Sequence, residues 1–296
     1  MPLNRKRTLL VVIALIIMIV LVYFLVHHRS VASKTVQYET RTVRYSFGIR
    51  NSSNALVAED KIQLFAPVKQ TSFQITSKLT ASTTFESLTD SLGNQALQAV
   101  LTIPPFGSKY ISVEAQVKMS SEGIEQALIN PALFLAKEKY IEIDHSDIIA
   151  LAKQLKADRP VETVNNIFDW VTRNIKSTAY LPEGKGARYA IDKREGDCTE
   201  FASLFIALCR VNNIPARLIG GFVVEKDMVL HARDYHNWAE FYEQNIWQIA
   251  DPQEQVLRKS AGRYLALKIH SNTEEAKISS LHRFRAESKN IEIKMD

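Results

Sequence analysis

The sequence predicts an α+β protein: a single membrane-spanning helix, then an all-β, sandwich-like part, then a mixed part of helices and antiparallel strands. Three observations predict it. The chain opens on an uncharged apolar run, it alternates with period two up to about residue 118, and it changes to helical spacing after Pro131.

Thr8 to Val26 is a run of 19 residues without a charge, rich in Ile, Leu and Val. At ~1.5 Å per helical residue it spans about 28 Å, close to the hydrocarbon thickness of a bilayer. Arg5, Lys6 and Arg7 precede it, so residues 1–7 are expected to stay cytoplasmic and residues 8–26 to act as a signal anchor. Tyr23 and Phe24 lie where aromatic rings favour the membrane interface. A cleaved signal peptide is the other reading, with Val31-Ala32-Ser33 as its cleavage candidate. Its apolar region would be only ~7–15 residues long. Either way, residues 35–296 are expected to be periplasmic or extracellular.

The charge supports this division. Of 37 Lys and Arg, five (Arg5, Lys6, Arg7, Arg29 and Lys34) fall in the first 34 residues, which hold no acid; the rest of the chain balances its 32 acids with the remaining 32 basic residues. A neutral body has no excess charge with which to hold a polyanion, so no nucleic-acid partner is expected. Apolar residues at 46% and charged ones at 23% exclude wholesale disorder.

Residues 35–125 read as an antiparallel β domain. Val43, Tyr45, Phe47 and Ile49 alternate with polar residues, as do Ile62, Leu64 and Ala66, and then Ile111, Val113, Ala115 and Val117. Turn-forming stretches at 51–54, 90–94 and 104–107 separate the runs, which suggests a sandwich. No titratable cluster stands out there, so a spacer or docking role is the expectation.

Residues 130–255 change period. Asp147 to Ala157 and Val161 to Lys176 read as helices, the second with Val164, Ile167, Phe168 and Val171 on one face. A loop with Pro182, Gly184 and Gly186 follows, then a helix from about Cys198 to Asn212. Ala216–Val224, Tyr235–Glu243 and Ile246–Ala250 read as strands, so this part is α+β. Residues 256–296 form a C-terminal extension, with a final strand expected near Asn290–Met295.

The two cysteines, Cys198 and Cys209, are eleven residues apart. On one helix that is about 16 Å, beyond the ~7 Å reach of a disulfide, so both are expected to be free. Cys209, among Phe205, Ile206 and Leu208, reads as a small buried hydrophobe. Cys198 follows Gly196-Asp197 and opens its helix, where the positive end of the dipole favours a thiolate. A lone cysteine is more often structural, but a second signal accompanies this one. His236 lies on an expected strand, and Asp251 ends the next one, so neighbouring antiparallel strands would set them side by side. A Cys, a His and an Asp in that relation make an activated nucleophile. His231 competes for the base role but reads as a solvated loop residue. Arg217 reads as one half of a structural salt bridge.

The stretches Gly196-Asp197-Cys198-Thr199-Glu200-Phe201-Ala202-Ser203-Leu204, Asn213-Ile214-Pro215-Ala216-Arg217-Leu218-Ile219-Gly220-Gly221, His236-Asn237-Trp238-Ala239-Glu240 and Trp247 with Asp251-Pro252 resemble the transglutaminase-like superfamily, over about residues 130 to 255. The β region before them also resembles the N-terminal domain of some bacterial members. The resemblance implies a papain-like core with Cys198 as nucleophile, His236 as base and acid, and Asp251 orienting His236. For the oxyanion it implies the Cys198 backbone N–H and an upstream side chain, with Tyr180 chosen ahead of Trp170. Two departures stand out: family members more often have His-Ala-Trp where this chain has His236-Asn237-Trp238, and Asp-Pro-Thr where it has Asp251-Pro252-Gln253.

The function implied is a membrane-anchored extracytoplasmic cysteine hydrolase, a peptidase or amidase. It would act on peptide or glutamine-type amides of a protein or peptide substrate through a thioester. The alternatives are a cross-linking acyl transferase and a non-catalytic binding or scaffold module of the same fold. No cofactor or metal is expected, since the chain has no His-x-x-x-His pair, no Cys-x-x-Cys and no glycine-rich phosphate loop; the resemblance leaves calcium open.

Overall fold

The computed structural model describes residues 14–20, 23, 36–271, 278 and 283–296. The chain divides into two units, Met1–Val36 and Gln37–Asp296. In the first, residues 14–20 and 23 are helical; the rest of the span expected at 8–26 lies outside the described residues. Among the described residues, no helix is long and apolar enough to cross a membrane.

The second unit begins with strands β1 (Glu39–Asn51), β2 (Val57–Ala66), β3 (Gln74–Ala81), β4 (Glu86–Thr89), β5 (Gln95–Ile103) and β6 (Ser108–Met119). The period-two pattern is realised as burial: Val43, Tyr45, Phe47 and Ile49 face inward, opposite Ile62, Leu64, Leu97 and Ala99 from the second sheet. A strand's side chains alternate between faces, so each sheet has one apolar face and the two close on each other. The Tyr45 hydroxyl crosses the gap and donates to the Phe65 carbonyl at 3.0 Å.

Four helices and several strands follow: α1 (Ser146–Leu155), α2 (Pro160–Asn174), the short β7 (Lys176–Ser177), α3 (Gly186–Lys193), the short β8 (Glu195–Gly196), α4 (Cys198–Val211), β9 (Ala216–Val223), β10 (Met228–Val229), β11 (His236–Glu243), β12 (Ile246–Asp251), β13 (Val256–Leu257) and β14 (Tyr264–Ile269). Pro160 sits in the first turn of α2, where its missing N–H leaves no bond unmade. An antiparallel sheet runs in the order β13-β12-β11-β9-β14. Phe201, Leu204, Phe205 and Leu208 of α4 pack on Ala216, Leu218, Ala239, Phe241 and Ala250 of that sheet.

Two further strands, β15 (Phe284–Ala286) and β16 (Ile291–Met295), lie in the stretch read as a C-terminal extension, the second of them where a final strand was expected. They join the sandwich: β15 pairs with β2, and β16 pairs with β1 from Phe47 to Asn51. The sandwich core also takes in Phe222, Val224, Leu230, Leu265 and Leu267 from the mixed part. The change of period near residue 130 therefore marks a change of secondary structure within one unit, because the two parts bury apolar surface against each other.

Candidate active site

The site is built at the start of α4. Asp197 is its N-cap: one carboxylate oxygen accepts the Thr199 N–H at 2.8 Å, and Glu200 reaches back to accept the Asp197 N–H at 3.1 Å. This reciprocal capping satisfies two backbone donors that a helix start otherwise leaves open. The same side chains pin the loop before α3. Asp197 accepts the Leu181 N–H at 2.8 Å, and Glu200 accepts those of Lys185 and Gly186 at 2.7 and 3.3 Å. Glu200 is fully buried, and burial pushes its carboxyl pKa up. Gly196 leaves the room this needs, since a Cβ there would lie 2.3 Å from the Glu200 Cβ.

Cys198 is partly exposed and free; Cys209 is free, and burial pushes its thiol pKa up. His236 opens β11 beside the Cys198 side chain, which favours its charged form. Its Nε2 lies 2.6 Å from Oδ2 of Asp251, whose carboxylate is 1% exposed. The Glu254 N–H holds the other carboxylate oxygen at 3.2 Å, and the Tyr264 hydroxyl donates to Oδ2 at 3.0 Å. Burial opposes the charge on His236, but the hydrogen bond to Asp251 and the neighbouring Cys198 outweigh it and push its pKa up to about 10. The Trp238 ring stacks on the imidazole, 6.4 Å between centroids.

The three residues expected to act together are thus brought together by α4, β11 and β12. Tyr180 lies on the loop between β7 and α3 with 76% of its surface exposed, next to Leu181, whose N–H Asp197 holds. Trp170 is half-buried on α2, under the Arg194 guanidinium at 4.5 Å. Both departures from the usual motif make contacts. Asn237 donates to the Thr199 hydroxyl at 3.0 Å, joining the histidine strand to the cysteine helix, and Gln253 donates to the Ser177 hydroxyl at 2.9 Å. Arg217 forms a buried pair with Glu240 at 2.6 Å and stacks on Trp247. Sequence reasoning missed the contribution of Glu200 and Tyr264. The Asp197-x-x-Glu200 spacing was a usable capping signal; a lone tyrosine in the tail offered none.

Among the described residues, His145, Asp147 and Asp192 place possible ligand atoms within 4.8 Å of one another. They come from the start of α1 and from α3, and both aspartates are exposed.

Residues 149–252 match the family model of the transglutaminase-like superfamily. A solved structure of a candidate cysteine protease from Cytophaga hutchinsonii is similar in fold, with a TM-score of 0.57 and 18% identity, covering 88% of this chain and 92% of that one. The periplasmic domain of TgpA from Pseudomonas aeruginosa aligns with a TM-score of 0.43 and 15% identity, over 71% of this chain and 88% of that domain. No curated protein matches the chain.

Proposed function

We propose that the protein is a cysteine hydrolase that cleaves peptide or side-chain amides, anchored to a membrane through residues 8–26 with its body outside the cytoplasm. One observation carries the catalytic part: Cys198 at a capped helix start, beside an imidazole that is itself held at 2.6 Å by a buried carboxylate. His236 takes the thiol proton, and Sγ bonds to the amide carbonyl carbon. The C–N bond breaks, and the amine or ammonia leaves with a proton from His236. Water then loses a proton to His236 as it opens the thioester and restores the thiol. The Cys198 backbone N–H is the oxyanion donor in this reading, because a first-turn N–H has no acceptor inside its own helix.

The test is alkylation and turnover. Iodoacetamide should label Cys198 in the wild type far faster than the same thiol in the unfolded chain. Cys198→Ala should lose that labelling and at least ~10³-fold of amide cleavage. Equal labelling of native and unfolded thiols would remove the activated nucleophile. Ammonia release with and without an added primary amine separates hydrolysis from acyl transfer, since amine incorporation would mark transfer. Membrane retention of the full chain, lost on deleting residues 1–34, is the outcome expected of the anchor. Release of the intact chain by carbonate washing would overturn it.

A further inference from the structure

The Asp251 carboxylate is shared. Its Oδ2 accepts from both His236 Nε2 at 2.6 Å and the Tyr264 hydroxyl at 3.0 Å, while the Glu254 N–H fixes Oδ1. Tyr264 is 5% exposed, and its ring sits edge-on to Trp238 at 5.1 Å, the ring that stacks on His236. It lies beyond the segment matched by the family, at the first position of the edge strand β14.

The β-sandwich holds that strand. Gln74, fully buried on β3, accepts the Ala266 N–H at 2.8 Å and donates to the Ala266 carbonyl at 3.0 Å. Asn94 brackets Ile269 in the same way, at 2.7 and 3.0 Å. Two carboxamides, with the Val68 N–H donating to the Ala266 carbonyl at 2.9 Å, thus stand in for a neighbouring strand along the side of β14 that β9 does not pair, around the bulge at Ala266–Lys268. A sandwich serving only as a spacer has no need of buried, two-point contacts to the strand that carries a triad neighbour.

We propose that Tyr264 is a positioning residue of the active site, held in place by the sandwich through Gln74 and Asn94, and that its hydroxyl takes part of the Asp251 charge and so limits how tightly His236 keeps its proton. Two donors on one oxygen divide its charge; removing one concentrates that charge on the other. Glu254 still holds the carboxylate when Tyr264 is lost, so the change in charge outweighs any loss of orientation. The groups facing His236 are Cys198 from α4 and Asp251 from β12, with the Trp238 ring beside it. Those acting on the Tyr264 hydroxyl are Asp251, Glu254 and Arg263; burial, then Asp251, pushes its pKa up, which keeps it a donor. The consequence is chemical: His236 must return its proton to the leaving amine, and an imidazolium held too tightly is a poor acid.

The inference rests on the hydrolase reading, and its test uses full-length protein in detergent with the histidines labelled by ¹⁵N. Tyr264→Phe keeps the ring and removes only the hydroxyl. The His236 imidazole should then titrate about half to one pH unit higher than in the wild type, the size of one neutral hydrogen bond. Amide cleavage near neutral pH should fall several-fold. Gln74→Met should move the titration the same way, with no further shift in the Tyr264→Phe background. If Gln74→Met does not fold, Asn94→Leu serves, because it removes the other carboxamide contact to β14, at Ile269, without adding a charge, and should shift the titration the same way. An unchanged or lowered titration in Tyr264→Phe overturns the role of Tyr264, and an additive shift in the double variant overturns the route through the sandwich. Slow alkylation of wild-type Cys198 overturns the hydrolase reading itself; fast alkylation with an unmoved His236 overturns this inference alone.

Discussion

Cys198 and His236 meet because single atoms around them are missing or paired. Gly221 has no side chain where a Cβ would lie 2.0 Å from the Leu265 carbonyl oxygen, so β9 and β14 can approach at the register that also pairs Gly221 with His236. Gly221→Ala should therefore separate the two strands and unfold this edge of the sheet, seen as a loss of hydrogen-exchange protection at Leu265 and Ala266. Asp251→Asn keeps the size of the side chain but removes the charge. We expect amide cleavage to fall by ~10²–10⁴-fold, as when a triad carboxylate is lost. The pH dependence follows from His236. Its pKa is about 10 folded against ~6.5 for an unfolded histidine. The stabilisation from its contacts with Asp251 and Cys198 is thus complete below about pH 6.5 and is lost as pH rises through about 10. Urea unfolding at pH 6, 8 and 10.5 should show the wild type losing its advantage over Asp251→Asn across that window. Cys198, His236 and Asp251 were legible in the sequence as a candidate group because they sit in compact local motifs. Tyr264 was not, since nothing near it in the chain signals which carboxylate it will reach.

On the scale of elements, α4 is the device that presents the thiol. Its cap does more than end a helix, because Asp197 and Glu200 also hold the loop before α3. Glu200→Ala leaves three backbone donors without their acceptor, at Asp197, Lys185 and Gly186. We expect it to cost ~2–4 kcal/mol in urea unfolding, with proteolysis appearing first in residues 178–185. Glu200→Gln, which keeps an acceptor oxygen, should cost less. The helices and strands themselves were legible: the stripe of Val164, Ile167, Phe168 and Val171 and the alternation from Val43 to Ile49 became buried faces. Their partners were not, because a period says which face is apolar and leaves open what covers it.

Across the whole molecule, the end of the chain closes the beginning. β16 pairs with β1 across more than 200 residues, and its buried Ile291 and Met295 complete the sandwich core. Removing residues 287–296 should expose the β1 edge and lower the melting temperature by roughly 5–15 °C, read by circular dichroism. It should leave the helices around α4 in place at low temperature. Activity should fall with the sandwich, because β14 takes outer contacts from Gln74, Asn94 and the Val68 N–H.

The sequence by itself determined the kinds of element, their order, the apolar faces, and the cysteine, histidine and aspartate that meet at the site. Each of these is written in the spacing of residues near one another in the chain. Only the tertiary structure decided that the tail belongs to the sandwich, that the two parts share a core, and that Tyr264 shares the carboxylate of Asp251. Those depend on which distant strands pair and in what register. That choice is made by burial and by backbone hydrogen bonds summed over the whole fold, which no short stretch of sequence records.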